Sequence, residues 1–105
     1  MKINIQSNEE IKELITRRRR QLTVHSFLYY QLNENIIPDY TFDLWSKELV
    51  ELQVTYPDIA NEAPYASEFK EFDGSTGYDL PYNYPEFQKV AFHLLAHHRK
   101  QKKNQ

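Results

Sequence analysis

A chain of 105 residues, 40% hydrophobic and 14% aromatic, can bury one modest core, so a single domain is expected. It has no cysteine, which excludes disulfides, thiolate metal sites and thiol catalysis and fits a reducing, cytoplasmic setting. No apolar run approaches the roughly 18 residues of a membrane helix, and no hydrophobic leader follows the N-terminus. The net charge of −2 conceals a segregation: residues 34 to 86 carry twelve acids against Lys47 and Lys70, a net −10, and the flanks carry +8. Such asymmetry serves either a basic nucleic-acid face or internal pairing between neighbouring elements, and internal pairing is the better expectation for a small helical fold.

Residues 1 to 6 alternate as a short strand or an arm. Ser7 precedes Glu10 by three, the spacing of a capping box, so a first helix is expected over residues 8 to 34. Its apolar side reads Ile11, Ile15, Arg18, Leu22, His25, Tyr29 and Leu32, a three-and-four spacing that only a helix places on one face. Pro38 interrupts, and Asp39 is suited to cap a second helix over 39 to 56. There Phe42, Trp45, Leu49, Leu52 and Tyr56 form the buried stripe. The short connector makes the two helices an antiparallel hairpin.

Residues 57 to 84 read as a long aromatic loop laid over the hairpin, with room for a short β-pair around 68 to 80. Pro85 then opens a third helix, 85 to 101, with Phe87, Val90, Ala91, Leu94, Leu95 and His98 on one side. The fold class is thus mainly α: a helical hairpin, a C-terminal third helix and a long aromatic loop.

Tyr29 and Tyr30 point about 100 degrees apart on a helix, so one of them should be exposed. Asp43 falls off the apolar stripe and is free to face solvent or a ligand. The stretch Asp73, Gly74, Ser75, Thr76, Gly77 and Tyr78 is first of all a turn, and second a partner or ligand loop, since its glycines let backbone N–H groups converge. His93 and His97 stand one turn apart without a third ligand, so no metal site is expected. Of Arg17 to Arg20, which sweep around the helix, Arg18 is expected to lean inward and pair with an acid of the central segment.

Tyr29-Tyr30, Ile37-Pro38-Asp39, Phe42-Asp43, Glu48-Leu49, Leu52 and Tyr56-Pro57 together resemble the N-terminal Ia domain of bacterial NAD-dependent DNA ligases. The resemblance implies a helical cap that grips the nicotinamide mononucleotide half of NAD, with Tyr29, Tyr30, Asp39, Phe42 and Asp43 as the binding residues. Phe42 stands where that family carries a ligand-binding tyrosine, and the missing hydroxyl would cost about 1–3 kcal/mol if its partner were left buried and unpaired. At this length there is no room for the catalytic parts of a ligase, and no nucleophile, acid–base pair or metal cluster converges, so a non-enzyme is expected. The implied partners are a small nucleotide, NAD or nicotinamide mononucleotide. The alternative is a protein-interaction module of phage origin that imitates or engages a host ligase, with weak non-specific nucleic-acid binding at most and no membrane contact.

Overall fold

The computed structural model describes residues 7–75, 77 and 79–103. The expected arm at residues 1 to 6, Thr76 and Tyr78 lie outside these. Four helices are found among them: α1 Asn8–Leu32, α2 Asp39–Thr55, α3 Pro57–Glu62 and α4 Pro85–Lys103. The capping box is formed, with Glu10 N donating to Ser7 Oγ at 3.2 Å and Ser7 N to Glu10 Oε1 at 2.9 Å. Helix α1 is the centre of the architecture, packing on α2, α3 and α4, whereas α4 touches no helix but α1.

That central position explains why α1 is apolar on more than one side. Ile11, Ile15 and Leu22 join Leu49, Ala60, Ala63, Phe69 and Leu80 in one core. Further along α1, Val24, Phe27 and Leu28 join Phe87, Ala91 and Leu95 in a second. All five residues expected to form the α2 stripe, Phe42, Trp45, Leu49, Leu52 and Tyr56, belong to or pack against the first core. The α4 stripe is narrower than expected: Phe87, Ala91 and Leu95 are buried, but Val90 and Leu94 remain 41% and 37% exposed because α4 has a single helical neighbour.

The inward arginine is Arg19, not Arg18. Arg18 is half-buried, bonded through Nε to Glu48 and set over the Trp45 ring, so its pairing with the acidic segment is as anticipated. Arg19 is 2% exposed and places its five N–H donors on neutral acceptors. Nε and Nη2 reach Gln53 Oε1 at 3.0 and 2.8 Å, Nη1 reaches the carbonyls of Ala63 and Pro64 at 3.2 and 2.9 Å, and Nη2 reaches that of Ala60 at 3.0 Å. Its other side lies on the Phe69 ring. Burial pushes this guanidinium down to about 10, nearby Glu68 opposing the shift, so it stays charged at neutral pH.

No strand occurs among the described residues, so the β-pair allowed for around 68 to 80 is corrected to turns. The segment begins with α3, whose first residue is Pro57; a proline that ends one helix is equally able to start the next, since N1 needs no N–H. Beyond it the backbone closes local bonds, Phe69 N to Tyr65 O at 3.1 Å and Phe72 N to Phe69 O at 3.2 Å. The aromatics do not alternate in and out as a strand would require but are seated one by one. Tyr65, at φ 70°, packs on Phe87 and donates to Glu86 at 2.6 Å; Tyr84 stacks on Phe87 and donates to Glu68 at 2.8 Å; Tyr82 lies against Phe27. The Tyr84 hydroxyl bond is the main reason the Glu68 carboxyl is held below its usual range.

Two measurements check this packing. Arg19→Met should lower unfolding free energy by about 3–5 kcal/mol, because three carbonyls and an amide lose their buried donors. Arg18→Met should cost no more than about 1 kcal/mol, the range of a partly exposed pair, when both variants are unfolded in urea. His25, tilted against Trp45 at 5.7 Å between centroids, is pushed down to about 4 by burial. The unfolded chain, near 6.5, therefore takes up this proton first as pH falls, so stability is full above about 6.5 and declines toward 4, by on the order of 3 kcal/mol. His25→Gln should remove that decline, seen as a difference from the parent chain of about 2 kcal/mol between about pH 7.5 and about pH 5.

Candidate functional site

Helix α1 outruns its cores. Past Leu28 its last turn is open to solvent on one side, and Tyr29 and Tyr30 stand 52% and 38% exposed. The two do not both face the core, as their spacing requires, but Tyr29, expected on the apolar side of α1, is exposed as well as Tyr30, and their rings meet edge to face at 4.9 Å. Asn33 takes the left-handed conformation at φ 55°, and Glu34 N bonds back to Leu28 O at 2.8 Å. This ends the helix abruptly and folds residues 34 to 37 back beside it.

The result is a cleft of about 280 Å³ between the end of α1, the connector, the first turns of α2 and the loop at Ser75 and Gly77. Tyr29, Tyr30, Asp39, Phe42 and Asp43 all line it. So do residues that sequence reasoning did not single out as site residues, His25, Ser26 and the connector from Glu34 to Ile37. A signal for two of them was present: His25 and Ser26 stand one helical turn before Tyr29 and Tyr30 and therefore share their faces.

Asp39 does not cap α2 as expected. The cap is Pro38, which has no side-chain donor or acceptor, and Asp39 as the first helical residue instead accepts from Asn35 Nδ2 at 3.3 Å. Its charge still sits at the positive end of the α2 dipole, which favours it there. Asp43 follows one turn later, exposed on the same side. Among the described residues no lysine or arginine lines the cleft; Arg99 approaches its edge, tied to Glu34 at 3.0 Å. His25, pushed down to about 4, is neutral here at physiological pH.

The glycine loop divides between two surfaces. Asp73 and Gly74 border a shallow groove along the outer side of α2 with Thr41, Leu44 and Trp45, whereas Gly77 lines the cleft and Ser75 borders both. Asp73 Oδ1 accepts from Ser75 N at 2.9 Å and Ser75 Oγ at 2.6 Å, with Gly74 at φ 86°. This is an aspartate turn, and it is the Ser75 bonds that hold the Asp73 carboxyl below its usual range. The loop's own acid thus occupies the Ser75 donors that an anion would need.

Gly77 is required by contact. A Cβ there would lie 1.9 Å from Ser26 Oγ, 3.0 Å from Ser26 Cβ and 3.3 Å from Phe42 Cζ. The loop therefore occupies the approach to the ring carbon at which a tyrosine hydroxyl would be attached, a reason for phenylalanine at position 42. Among the described residues no cluster of histidines and acids could hold a metal, and no helix is long and apolar enough to cross a membrane. Gly77→Ala should destabilise the fold by about 1–3 kcal/mol, as an overpacked contact does. Adding Ser26→Ala, which removes the closest atom, should restore part of the loss, a non-additivity readable in urea titrations of the single and double variants.

The family described as DNA ligase-like, N-terminal NAD+-binding domain matches residues 8–64, which hold α1, α2, α3 and every cleft residue but the two of the glycine loop. A DNA ligase of Thermoanaerobacter sp. (strain X514) is 39% identical over 51 residues, 49% of this chain and 7% of the ligase. That of Pseudothermotoga lettingae is 37% identical over 51 residues, 49% of this chain and 8% of the ligase, and that of Malacoplasma penetrans 32% over 57 residues, 54% and 8%. The match thus covers less than a tenth of each relative's length and lies in the N-terminal domain alone. No solved structure matches the chain. With more than half its residues inside the family's bounds and the aromatic and acidic side chains gathered in one cleft, the chain belongs to the DNA ligase-like, N-terminal NAD+-binding domain family.

Proposed function

We propose that this chain is a non-catalytic ligase-Ia-like module, one domain throughout, that binds a nicotinamide-bearing ligand: nicotinamide mononucleotide, NAD or a compound derived from them. The observation that carries the reading is the convergence of Tyr29, Tyr30, Asp39, Phe42 and Asp43 on one cleft. The exposed, perpendicular tyrosine rings offer a flat ligand a face and an edge. The aspartates offer acceptors to ribose hydroxyls or a carboxamide. The matched region is the family's NAD+-binding domain, and holding the ligand is the activity read from it.

A second reading, a host protein partner, is supported by Leu44, 59% exposed in the groove it shares with Asp73 and Gly74, and by Tyr40, one turn before it on α2 and 67% exposed. That surface is on α2; Tyr65, Tyr82 and Tyr84 of the aromatic segment are engaged with Phe87 and Phe27. Phage origin and a cytoplasmic setting are proposed for the chain under either reading.

Calorimetric titration with NAD, nicotinamide mononucleotide and nicotinamide riboside tests the first reading. At least one should bind below about 1 mM, and Tyr29→Ala and Asp43→Ala should each weaken it by about 1 kcal/mol or more without changing the helical circular dichroism. Absence of binding by all three below that limit overturns it.

A further inference from the structure

Two exposed apolar surfaces lie away from the cleft, and their charges are opposite. Between α1 and α4 runs a groove of about 250 Å³, whose lining includes Arg20, Gln21, Val24, Phe87, Val90 and Leu94. Val24 and Phe87 are buried beneath it, whereas Val90 and Leu94 are exposed on its α4 wall. Arg20 is exposed at its rim, and Lys89 and Lys100, about three turns apart on one side of α4, are exposed beside that wall. Neither lysine takes part in an ion pair among the described residues. The one acid of α4, Glu86, accepts the Tyr65 hydroxyl at 2.6 Å. The second surface is the outward side of α2, where Tyr40, Leu44 and Val54 are all exposed. Helix geometry sets these three within about 100 degrees of arc together with Asp43, Lys47 and Glu51, which are exposed as well. Asp73 adds a further acid to the groove that Leu44 lines.

Charge decides which surfaces can meet. Pairing α4 with the α4 of another copy would set lysines against lysines, and α2 with α2 would set acids against acids. Of the three pairings, α2 on α4 alone combines apolar contact with opposite charge. A helix that lays its apolar side in a groove between two others is anchored by side chains three and four positions apart, which is the spacing of Tyr40 and Leu44. Every copy carries both surfaces. We infer that a second copy of this chain seats the outward side of its α2 in the α1–α4 groove of the first, with Leu44 against Val90 and Leu94. Such a contact joins unlike surfaces, and it gives the α2 side a partner in place of a host protein. It stands apart from the nicotinamide reading and is tested without a ligand.

Sedimentation velocity of the full chain, from about 10 μM to about 1 mM at low salt, should show association that grows with concentration and weakens as salt screens the opposite charges. Leu44→Glu and Leu94→Glu, both at exposed positions and checked for helix content by circular dichroism, should each weaken self-association about tenfold or more. Mixed in equal amounts, the two variants should associate again, because the intact groove of Leu44→Glu receives the intact α2 of Leu94→Glu. Recovery on mixing is the result that only a contact between unlike surfaces gives. Weakening in one variant alone overturns the inference, since it means that α2 pairs with α2 or α4 with α4, and so does the absence of recovery on mixing. Association that salt strengthens overturns it as well. A parent chain monomeric throughout the range overturns it and leaves both surfaces to a different partner.

Discussion

A guanidinium sealed in the first core is the constraint on which the remaining structure depends. Arg19 has every donor matched, yet it is met by an amide and three carbonyls, not by a carboxylate. Two of those carbonyls, Ala60 and Ala63, lie at the end of α3, where a six-residue helix leaves its last C=O groups unsatisfied. One side chain of α1 therefore closes α3, grips α2 through Gln53 and supports Phe69. Where α3 ends decides where the aromatic segment sets out, and so where its tyrosines land on α1 and α4. A buried charge of this kind adds little to stability relative to apolar packing, but removing one partner is costly, which makes the arrangement specific.

The same four-arginine run shows how the charge segregation is resolved. Arg17 stays outside with Glu13, Arg18 crosses to Glu48, Arg19 goes inside, and Arg20 is exposed. Arg99 crosses from the other basic flank to Glu34. Two of these bonds join the positive flanks to the negative middle of the chain, which is internal pairing. A run of consecutive cations on a helix is spread around its circumference and cannot form the stripe that tracks a phosphate backbone.

The helices were legible because their signals are local: Ser7 with Glu10, Pro38, Pro85 and the three-and-four spacing of apolar residues each act within a turn or two. The five cleft residues were legible only through resemblance, because their meeting depends on how sharply the chain turns after Leu32. What was not legible depended on tertiary partners. Arg18 and Arg19 differ by one position on a helix, and only the location of α3 decides which of them turns inward. Asp39 looked like a cap because aspartate is a good one, but Pro38 took that place and left the carboxylate to Asn35 and the cleft. The aromatic segment lacked a period of either two or three and a half, since each of its rings answers to a different neighbour, and a pattern-based reading has nothing to count there.

The second core has an asymmetry of ownership. Phe87, Ala91 and Leu95 come from α4, outside the stretch matched to the ligases, while Val24, Phe27 and Leu28 come from α1 inside it. Helix α4 is thus an attachment held through one helical face and a few tyrosine bridges, whereas α1 is sandwiched from several directions. Amide hydrogens in such a fold divide into cooperative units according to what must separate to expose them. Those of α4 can exchange by peeling that helix away with the first core closed, and those in the middle of α1 exchange only when the whole molecule opens, so the chain has a detachable outer layer around a ligase-like kernel.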